Sequence, residues 1–440
     1  MFLKKNIVKE LLIITAISIF AFYINWISGN VGIIPIDTFG FLDTSHSILN
    51  GKLPLRDFWI FTGLLVDYMG ALFLSIFGNS WSSHLIHSSS MNILAVLFLY
   101  FFLNNLNLEK KYIIFYCSSF ATLCYPVSGT PFAYIHSYIF SLISIMTFIL
   151  AFKNKNKIIW FIFPFVCMFS FLSMQTPSAF ILLILLGFVI LYFKKSKDYK
   201  NLNFFFFGCV SSLILFLIFL YFTKTPFINF LYQYILFPLT IGEGRISSND
   251  LAYVSLMDQI NLKRLVGDFK FIHFLFLPLL VLAYKNRKKN NEQLNTINLI
   301  FILSTIAFIF NQIITANQIY IFSLIPILAS ILHLNFLEFK IKSKFLLVIV
   351  FITLFATVKF HFRYNIDRKF HDLENIDKVN AINAELIHPN LKNLKWISKF
   401  DEPKNEAKIL KNAIEVIKND DREKTLITHY QFISTVLNKN

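Results

Sequence analysis

Charged side chains are scarce in this sequence. They make up 15% of its 440 residues, and only 25 are acidic against 41 Lys and Arg. A soluble globule of this length could not cover itself with so little polar surface, so that class is excluded. Cysteine is scarce too. Cys117, Cys124, Cys167 and Cys209 all lie inside apolar runs, where they read as packing residues, and none has metal-site spacing. No small-residue cleavage site follows the first apolar run, which is expected to stay as an anchor rather than leave as a signal peptide.

Apolar residues fill the chain instead: 56% are hydrophobic, and 54 are Phe. Runs of about 18 or more such residues match the thickness of a bilayer core and predict an all-α polytopic membrane protein. Eleven spans are expected, at 8–28, 81–104, 112–127, 133–152, 158–174, 177–193, 202–222, 270–284, 296–314, 319–335 and 344–360. The net charge of +16 does not point to nucleic acid. Residues 361–440 hold 14 basic against 12 acidic residues, so +14 of the excess belongs to the membrane part.

That excess recurs at every second loop. Lys4, Lys5 and Lys9 come first, then Lys110 and Lys111, then Lys153, Lys155 and Lys157. Lys194, Lys195, Lys197 and Lys200 follow, then Lys285, Arg287, Lys288 and Lys289, and last Lys340, Lys342 and Lys344. These are 19 basic residues; the alternate loops hold six, namely Lys52, Arg56, Lys224, Arg245, Lys263 and Arg264. The asymmetry predicts a cytoplasmic N-terminus and, with an odd span count, a C-terminus outside. Enrichment in Lys, Asn, Ile and Phe suits an AT-rich genome, and the expected location is a bacterial inner membrane with a periplasmic C-terminus.

The expected organisation is a transmembrane domain over 1–360, with a first outer loop at 29–80 and a second long outer loop at 223–270. An outer region over 361–440 follows. In that region EPKNEAKILKNAIEVIKN places Ile409, Leu410, Ala413, Ile414 and Ile417 at helical spacing after Pro403, and TLIT reads as a short strand. The appendage is small, with an α/β reading left open. The second outer loop reads as an interfacial helix broken at Pro226 and Pro238, followed by a polar turn, IGEGRISSND, with a hairpin-like tip at Gly242–Arg245.

The first outer loop carries the chemistry. Gly29–Ser80 is too polar at its start to span a membrane and too rich in Phe, Leu and Trp for a solvated loop. Interfacial helices are expected, one over Ile36–Leu49 and one over Phe58–Phe77, with acidic groups turned toward a cavity. Asp37, Phe41, Thr44 and Ile48 share a face of the first, and Asn50–Gly51 then turns the chain. A partly desolvated carboxylate just beyond the first span suits a general base that takes the proton of an attacking hydroxyl or amine. The competing reading is that Asp37 caps its helix. Arg56 has the fork that matches phosphate oxygens, although Arg56 and Asp57 serve equally well as positioning groups. Asp67, inside an apolar helix, must face a polar partner or water.

The stretch DTFGFLDTSHSILNGKLPLRDFWIFTGLLVDYMGALFLSIFGNS resembles the first outer loop of the GT-C membrane glycosyltransferases, such as the protein O-mannosyltransferases and the lipid A aminoarabinose transferases. In those enzymes an acidic residue follows the first span, then a G-x-x-P-x-x-D stretch, then an apolar interfacial helix ending in FG. Here Asp37 is followed by Gly51, Pro54 and Asp57, then by Phe77–Gly78. The motifs cover residues 1–200, and beyond them the likeness is one of topology. The resemblance implies a polyprenyl-phosphate-linked sugar donor, attack at the anomeric carbon, and Asp37 as base. The acceptor would be a lipid, a glycan or a protein. This chain departs from many relatives in placing Thr38, not Glu, after the Asp. A divalent metal is not required by the reading, and Asp37 and Asp43 are the ligands if one binds.

Other polar residues expected on the same side are candidates for binding the donor: Asp43, His136, Gln175, Arg245, Arg264, Gln318 and Tyr320, beside Arg56 and Asp57. Any one of them could simply solvate a helix end. His273 and Asn311 read as packing or helix-contact residues. Two other functions compete with this one. An O-antigen ligase or polymerase would also carry a long late outer loop with Arg and His. A flippase for lipid-linked sugars would be expected to show internal repeats and mid-span acids, and neither is evident.

Overall fold

A chain in hydrocarbon must satisfy its backbone internally, which favours helices. The computed structural model is built almost entirely of them. It describes residues 2–32, 35–60, 63–247, 260, 262–288, 291–315, 320–368, 378–397, 401–420, 422 and 426–438, and the side chains of 2–6, 35–37, 245–247, 263, 264, 268, 287 and 288 lie outside that description.

In chain order the helices that matter below are α1 (Phe2–Gly29), α2 (Pro35–Leu49), α3 (Leu64–Phe77), α4 (Trp81–Asn105), α5 (Lys110–Leu123), α6 (Ala133–Asn154), α7 (Lys157–Ser173), α8 (Gln175–Ser196) and α9 (Tyr199–Phe222). They continue as α10 (Phe227–Phe230), α11 (Phe237–Ser247), α12 (Lys270–Lys288), α13 (Glu292–Ile314), α14 (Leu324–Glu338) and α15 (Ser343–Phe360). Each expected span overlaps a helix, although 112–127 runs past the helix end at Leu123 and 319–335 starts ahead of the helix start at Leu324. Seven helices among the described residues are long and apolar enough to cross a membrane, while Leu64–Phe77, Lys157–Ser173 and Leu324–Glu338 are apolar but shorter. Several long apolar helices of this kind mark an integral membrane protein.

Helix α6 is the centre of the bundle, buried on nearly every side and flanked by α4, α7, α8 and α13. Around it, α1, α8, α9 and α15 turn rows of Leu, Ile and Phe outward, with Leu183 68% and Phe351 66% exposed. An apolar surface of that extent is tolerable only against lipid. Inside, several buried amides pair with one another or with backbone carbonyls. Asn298 and Asn335 exchange hydrogen bonds of 2.8 Å in both directions, Asn286 donates to Asn335 at 2.7 Å, and Asn92 donates to the carbonyls of Ala21 and Ala121.

The connections sort to two ends. At one end the basic turns are linked side by side: Lys110 Nζ meets Glu10 at 2.5 Å, Lys153 donates to Asn105, and Lys195 meets Glu292. The other end holds α2, α3, the α5–α6, α7–α8 and α14-side turns, and the segment after α9.

Two expectations for the long connections need correction. Helix α3 begins at Leu64, not Phe58. Gly63 stays extended, at φ −107° and ψ 122°, because it lies against α7, where a Cβ would sit 1.8 Å from the Ser173 carbonyl oxygen. The described chain ahead of it, Lys52–Ile60, is not helical and turns at Leu55–Asp57. In the second long connection Pro238 does not break the helix. A π-helical turn over Leu231–Leu236 precedes it, with the Phe237 amide bonded to Tyr232 O five residues back, so the bond ladder has already shifted where proline cannot donate. The helix continues through Gly242 and Gly244 to Ser247 instead of forming a polar turn.

Among the described residues after α15, helix predominates. A two-residue antiparallel ladder pairs β1 (Ile382–Asn383) with β2 (Lys395–Trp396), followed by α16 (Pro403–Asn419) and α17 (Phe432–Leu437). Leu426–Thr428 is not a strand, correcting the TLIT reading. On α16, Leu410 and Ile414 are buried as their spacing predicts, but Ile409 is 61% exposed.

Candidate functional site

Helix α2 organises this end of the molecule. Pro35 suits its first turn, and Asn50–Gly51 ends it, with Gly51 at φ +82°. Its faces have different neighbours. Phe39 and Leu42 point into the C-terminal region, where they share a core with Trp81, Leu85, Trp396 and Phe432. The Phe39 ring centroid lies 4.7 Å from that of Phe432 and 6.1 Å from that of Trp396. Phe41 faces the bundle, against Phe132 and Val66. Thr44 faces α3 and donates to the Asp67 carboxylate at 2.9 Å, so the fully buried acid has the polar partner its position demanded.

The C-terminal region is fastened to the same helix by polar contacts. Ser434 Oγ donates to Asp43 Oδ1, and Asn438 Oδ1 lies 2.8 Å from Asn79 Nδ2 and 3.3 Å from His46 Nε2. Burial pushes the Asp43 carboxyl above its ordinary value, against the opposing pull of the Ser434 bond and of His46 and Lys52. Burial pushes His46 below its own ordinary value. Lys395 N donates to Asn30 O at 3.0 Å, close to the end of α1.

The two long connections are stitched together. Arg56 gives Nε and Nη2 to Asp57, Nη2 also to Gly51 O, and Nη1 to Thr223 O at 3.0 Å, at the start of the second connection. The Arg56 fork and the Leu53 amide hold the Asp57 carboxyl below the usual carboxylate range. Asn229 Nδ2 and Gln233 Nε2 both donate to Leu55 O, and Gln233 Oε1 accepts from Ile60 N. Trp59 packs on Phe237 with ring centroids 5.2 Å apart. Gln175 joins the same assembly by donating to Tyr234 O at 2.9 Å, while the Tyr234 hydroxyl donates to Phe171 O.

His136 belongs to a buried chain that reaches α4. Its Nε2 lies 3.0 Å from His87 Nε2, and its Nδ1 lies 2.8 Å from the Tyr125 hydroxyl and 3.1 Å from Phe132 O. A carbonyl can only accept. If Nδ1 of His136 carries its proton toward Phe132, its Nε2 accepts and His87 must donate; in the other tautomer Nε2 donates to His87 and Nδ1 accepts from the Tyr125 hydroxyl, with no bond to Phe132 O. Either way His87 Nδ1 has no hydrogen-bond partner among the described residues.

The candidates from the sequence therefore divide. Asp43, Arg56, Asp57, Gln175 and His136 all sit at this end, each engaged with protein partners. Tyr320 is buried, its ring 5.2 Å from Phe132 and 5.5 Å from Tyr134. Asp37 lies in the first turn of α2, but its side chain, like those of Arg245 and Arg264 and the whole of Gln318, lies outside the described residues. Among the described residues no three His, Cys, Asp or Glu side chains form a metal-holding group. Sequence reasoning missed His87, Tyr125, Asn229, Gln233 and Ser434, whose partners are 11 to 391 positions away.

It also missed Arg368. This guanidinium is 2% exposed and donates to the carbonyls of Gly32, Pro126, Val127 and Ser128. It pins the chain after α15 to the exit of α1 and to the α5–α6 turn.

No protein-family model matches the chain, and no curated protein matches it.

Proposed function

We propose that this chain is a membrane glycosyltransferase of the GT-C type, moving a sugar from a polyprenyl-phosphate carrier to an acceptor at the outer face of the membrane. Asp37 is the base. It takes the proton of the acceptor hydroxyl or amine as that atom bonds to the anomeric carbon, and the bond from that carbon to the carrier phosphate breaks, releasing polyprenyl phosphate. In this reading residues 1–360 cross the membrane eleven times, starting in the cytoplasm of a bacterial cell, and residues 361–440 lie outside with the two long loops.

The observation that supports it is the gathering of separate parts around α2. The first connection, the second connection and the C-terminal region meet there at one end of the bundle, held by Arg56–Thr223, Asn229–Leu55 and Phe39–Phe432. A transferase working on a lipid-borne donor needs such an assembly, because donor and acceptor must be brought together where the lipid headgroup emerges. Arg56 and Asp57 act as positioning groups in it, and Asp43 holds the C-terminal region.

Asp37→Asn tests the reading. Transfer, followed by lipid and glycan profiling of a deletion strain complemented with the variant, should fall by about 10²–10⁴-fold, the usual contribution of a general base. Protein abundance should be unchanged. Full transfer by a normally inserted Asp37→Asn protein would remove Asp37 as the base.

A further inference from the structure

The second connection has its polarity reversed for a surface in water. From Pro226 to Gly242 the sequence carries no charged residue, and charge returns only at the flanking Lys224 and Glu243, both exposed. Its two long amides, Asn229 and Gln233, point inward: both donate to Leu55 O, and Gln233 accepts from Ile60 N. The outward side is left to Phe227, Ile228, Tyr232, Leu236, Phe237 and Leu239, all exposed, Leu239 to 66%. A helix lying on a soluble protein has the opposite arrangement, with amides in solvent and apolar side chains against the core. Phe230 and Tyr234 do fill the inner side, against Phe216 and Leu220 of α9, so the segment is apolar on both faces. A helix that is hydrophobic all round belongs inside a protein or in lipid.

Two neighbours identify what covers the outer face. Helix α9 leads the chain to this segment with Leu213, Leu217, Tyr221 and Phe222 exposed, Tyr221 to 79%, on a flank that suits only lipid. The second connection packs directly on that helix, with the Phe230 ring centroid 4.7 Å from that of Phe216, and Phe227 follows Phe222 after the turn at Thr223–Pro226. The two apolar surfaces are therefore continuous. The other neighbour is Trp59 of the first connection, exposed with its ring on Phe237. Trp and Tyr gather at the level of the lipid headgroups, where an apolar ring can keep its polar edge wet. The segment is not among the seven helices apolar enough to cross a membrane, which leaves the interface plane for it.

We propose that Phe227–Leu239 is seated in the lipid leaflet at the α2 end of the bundle, with Phe227, Ile228, Tyr232, Leu236 and Leu239 among the acyl chains and Trp59 beside them at headgroup level. Pro238, expected from the sequence to break an interfacial helix, lies within the lipid-facing stretch. The bilayer then helps to hold the first connection in place. Asn229, Gln233 and the Trp59–Phe237 contact fasten Lys52–Ile60, with Arg56 and Asp57 in it, to a segment anchored in lipid. The proposal does not depend on the transferase reading.

The test places p-acetylphenylalanine singly at Ile228, Tyr232, Leu236 and Leu239 of the full-length protein in lipid nanodiscs. A ketoxime nitroxide is attached there, leaving the native cysteines untouched. Power saturation compares its collisions with oxygen, which partitions into lipid, and with a water-soluble nickel chelate. The same label at the exposed Leu213 of α9 is the lipid reference, and free label in buffer is the water reference. Oxygen should dominate several-fold at all four positions, as at Leu213. Nickel dominating there would show a wet surface, and few collisions with either probe would show a protein cover such as a second copy; each result overturns the proposal. A charge gives a second measurement. Tyr232→Glu with Leu236→Glu is nearly neutral at exposed positions in water, but in lipid it drives the segment out. Hydrogen–deuterium exchange of the Ile60 amide, which Gln233 accepts from, should then accelerate several-fold while α6 is unaffected. Unchanged exchange at Ile60 would equally overturn the proposal.

Discussion

The attachment of the C-terminal region to α2 can be measured, and Phe39→Ala is the sharpest way to loosen it. Phe39 is fully buried with its ring against Phe432, Trp396 and Trp81, at centroid distances of 4.7, 6.1 and 6.3 Å. Truncating a buried Phe to Ala costs about 3–5 kcal/mol. Part of that loss falls on the packing of α2 against Trp81 of α4, and the rest falls on docking. The polar contacts that remain, Ser434 to Asp43, Asn438 to Asn79 and Lys395 to Asn30, contribute about 0.5–1.5 kcal/mol each. They cannot replace the ring. If two-thirds of the loss reaches docking, the open fraction rises roughly 30- to 300-fold, at about 1.4 kcal/mol per factor of ten. Hydrogen–deuterium exchange of the Pro403–Asn419 and Phe432–Leu437 amides should accelerate by that factor, while amides of α13 stay as they were. Exchange in α16 and α17 indistinguishable from the parent would refute the idea that the aromatic cluster fastens the region.

Two further outcomes follow from the geometry. Gly63→Ala puts a methyl group 1.8 Å from the Ser173 carbonyl oxygen, so α3 must move off α7; thermal unfolding should drop clearly, and an unchanged midpoint would contradict the described approach. Docking should also depend on pH. Asp43, raised by burial, keeps in the docked form a proton that the undocked chain gives up, so docking weakens as pH rises through the window above 3.8. His46, lowered by burial, must stay neutral when docked, so docking weakens as pH falls below 6.5. Asp43→Asn should therefore slow exchange of the Phe432–Leu437 amides at neutral pH, and faster exchange there would reverse the sign of the argument.

How much of this could be read in advance depends on the range of the interaction. Helices α4, α6, α9 and α13 are written locally, in unbroken runs of Leu, Ile and Phe. The alternation of basic turns is local as well, and Lys110–Glu10 and Lys195–Glu292 link such turns at one end of the bundle. The start of α3 was misplaced because Gly63 is dictated by a carbonyl more than 100 residues away, on α7. Pro238 misled because a π-turn can absorb a proline without ending a helix. At the site, Asp67 announced itself as an acid in an apolar helix, but nothing in the sequence paired it with Thr44. The pairing of His87 with His136, 49 positions apart, was invisible for the same reason. Asn311 and Asn335 look alike in sequence and sit in similar helices. Only their surroundings give Asn335 its amide partners, Asn286 and Asn298.

Arg368 has a consequence for the order in which the molecule is made. The carbonyls it satisfies belong to Gly32 and to Pro126–Ser128, positions 336 and 240 to 242 residues earlier in the chain. During synthesis those groups emerge first, and among the described residues ten helices, α6 to α15, follow before Arg368. Asn25 of α1 already donates to Gly129 O in the turn after α5, so Arg368 adds a later fastening to the same joint, from a segment that follows α15.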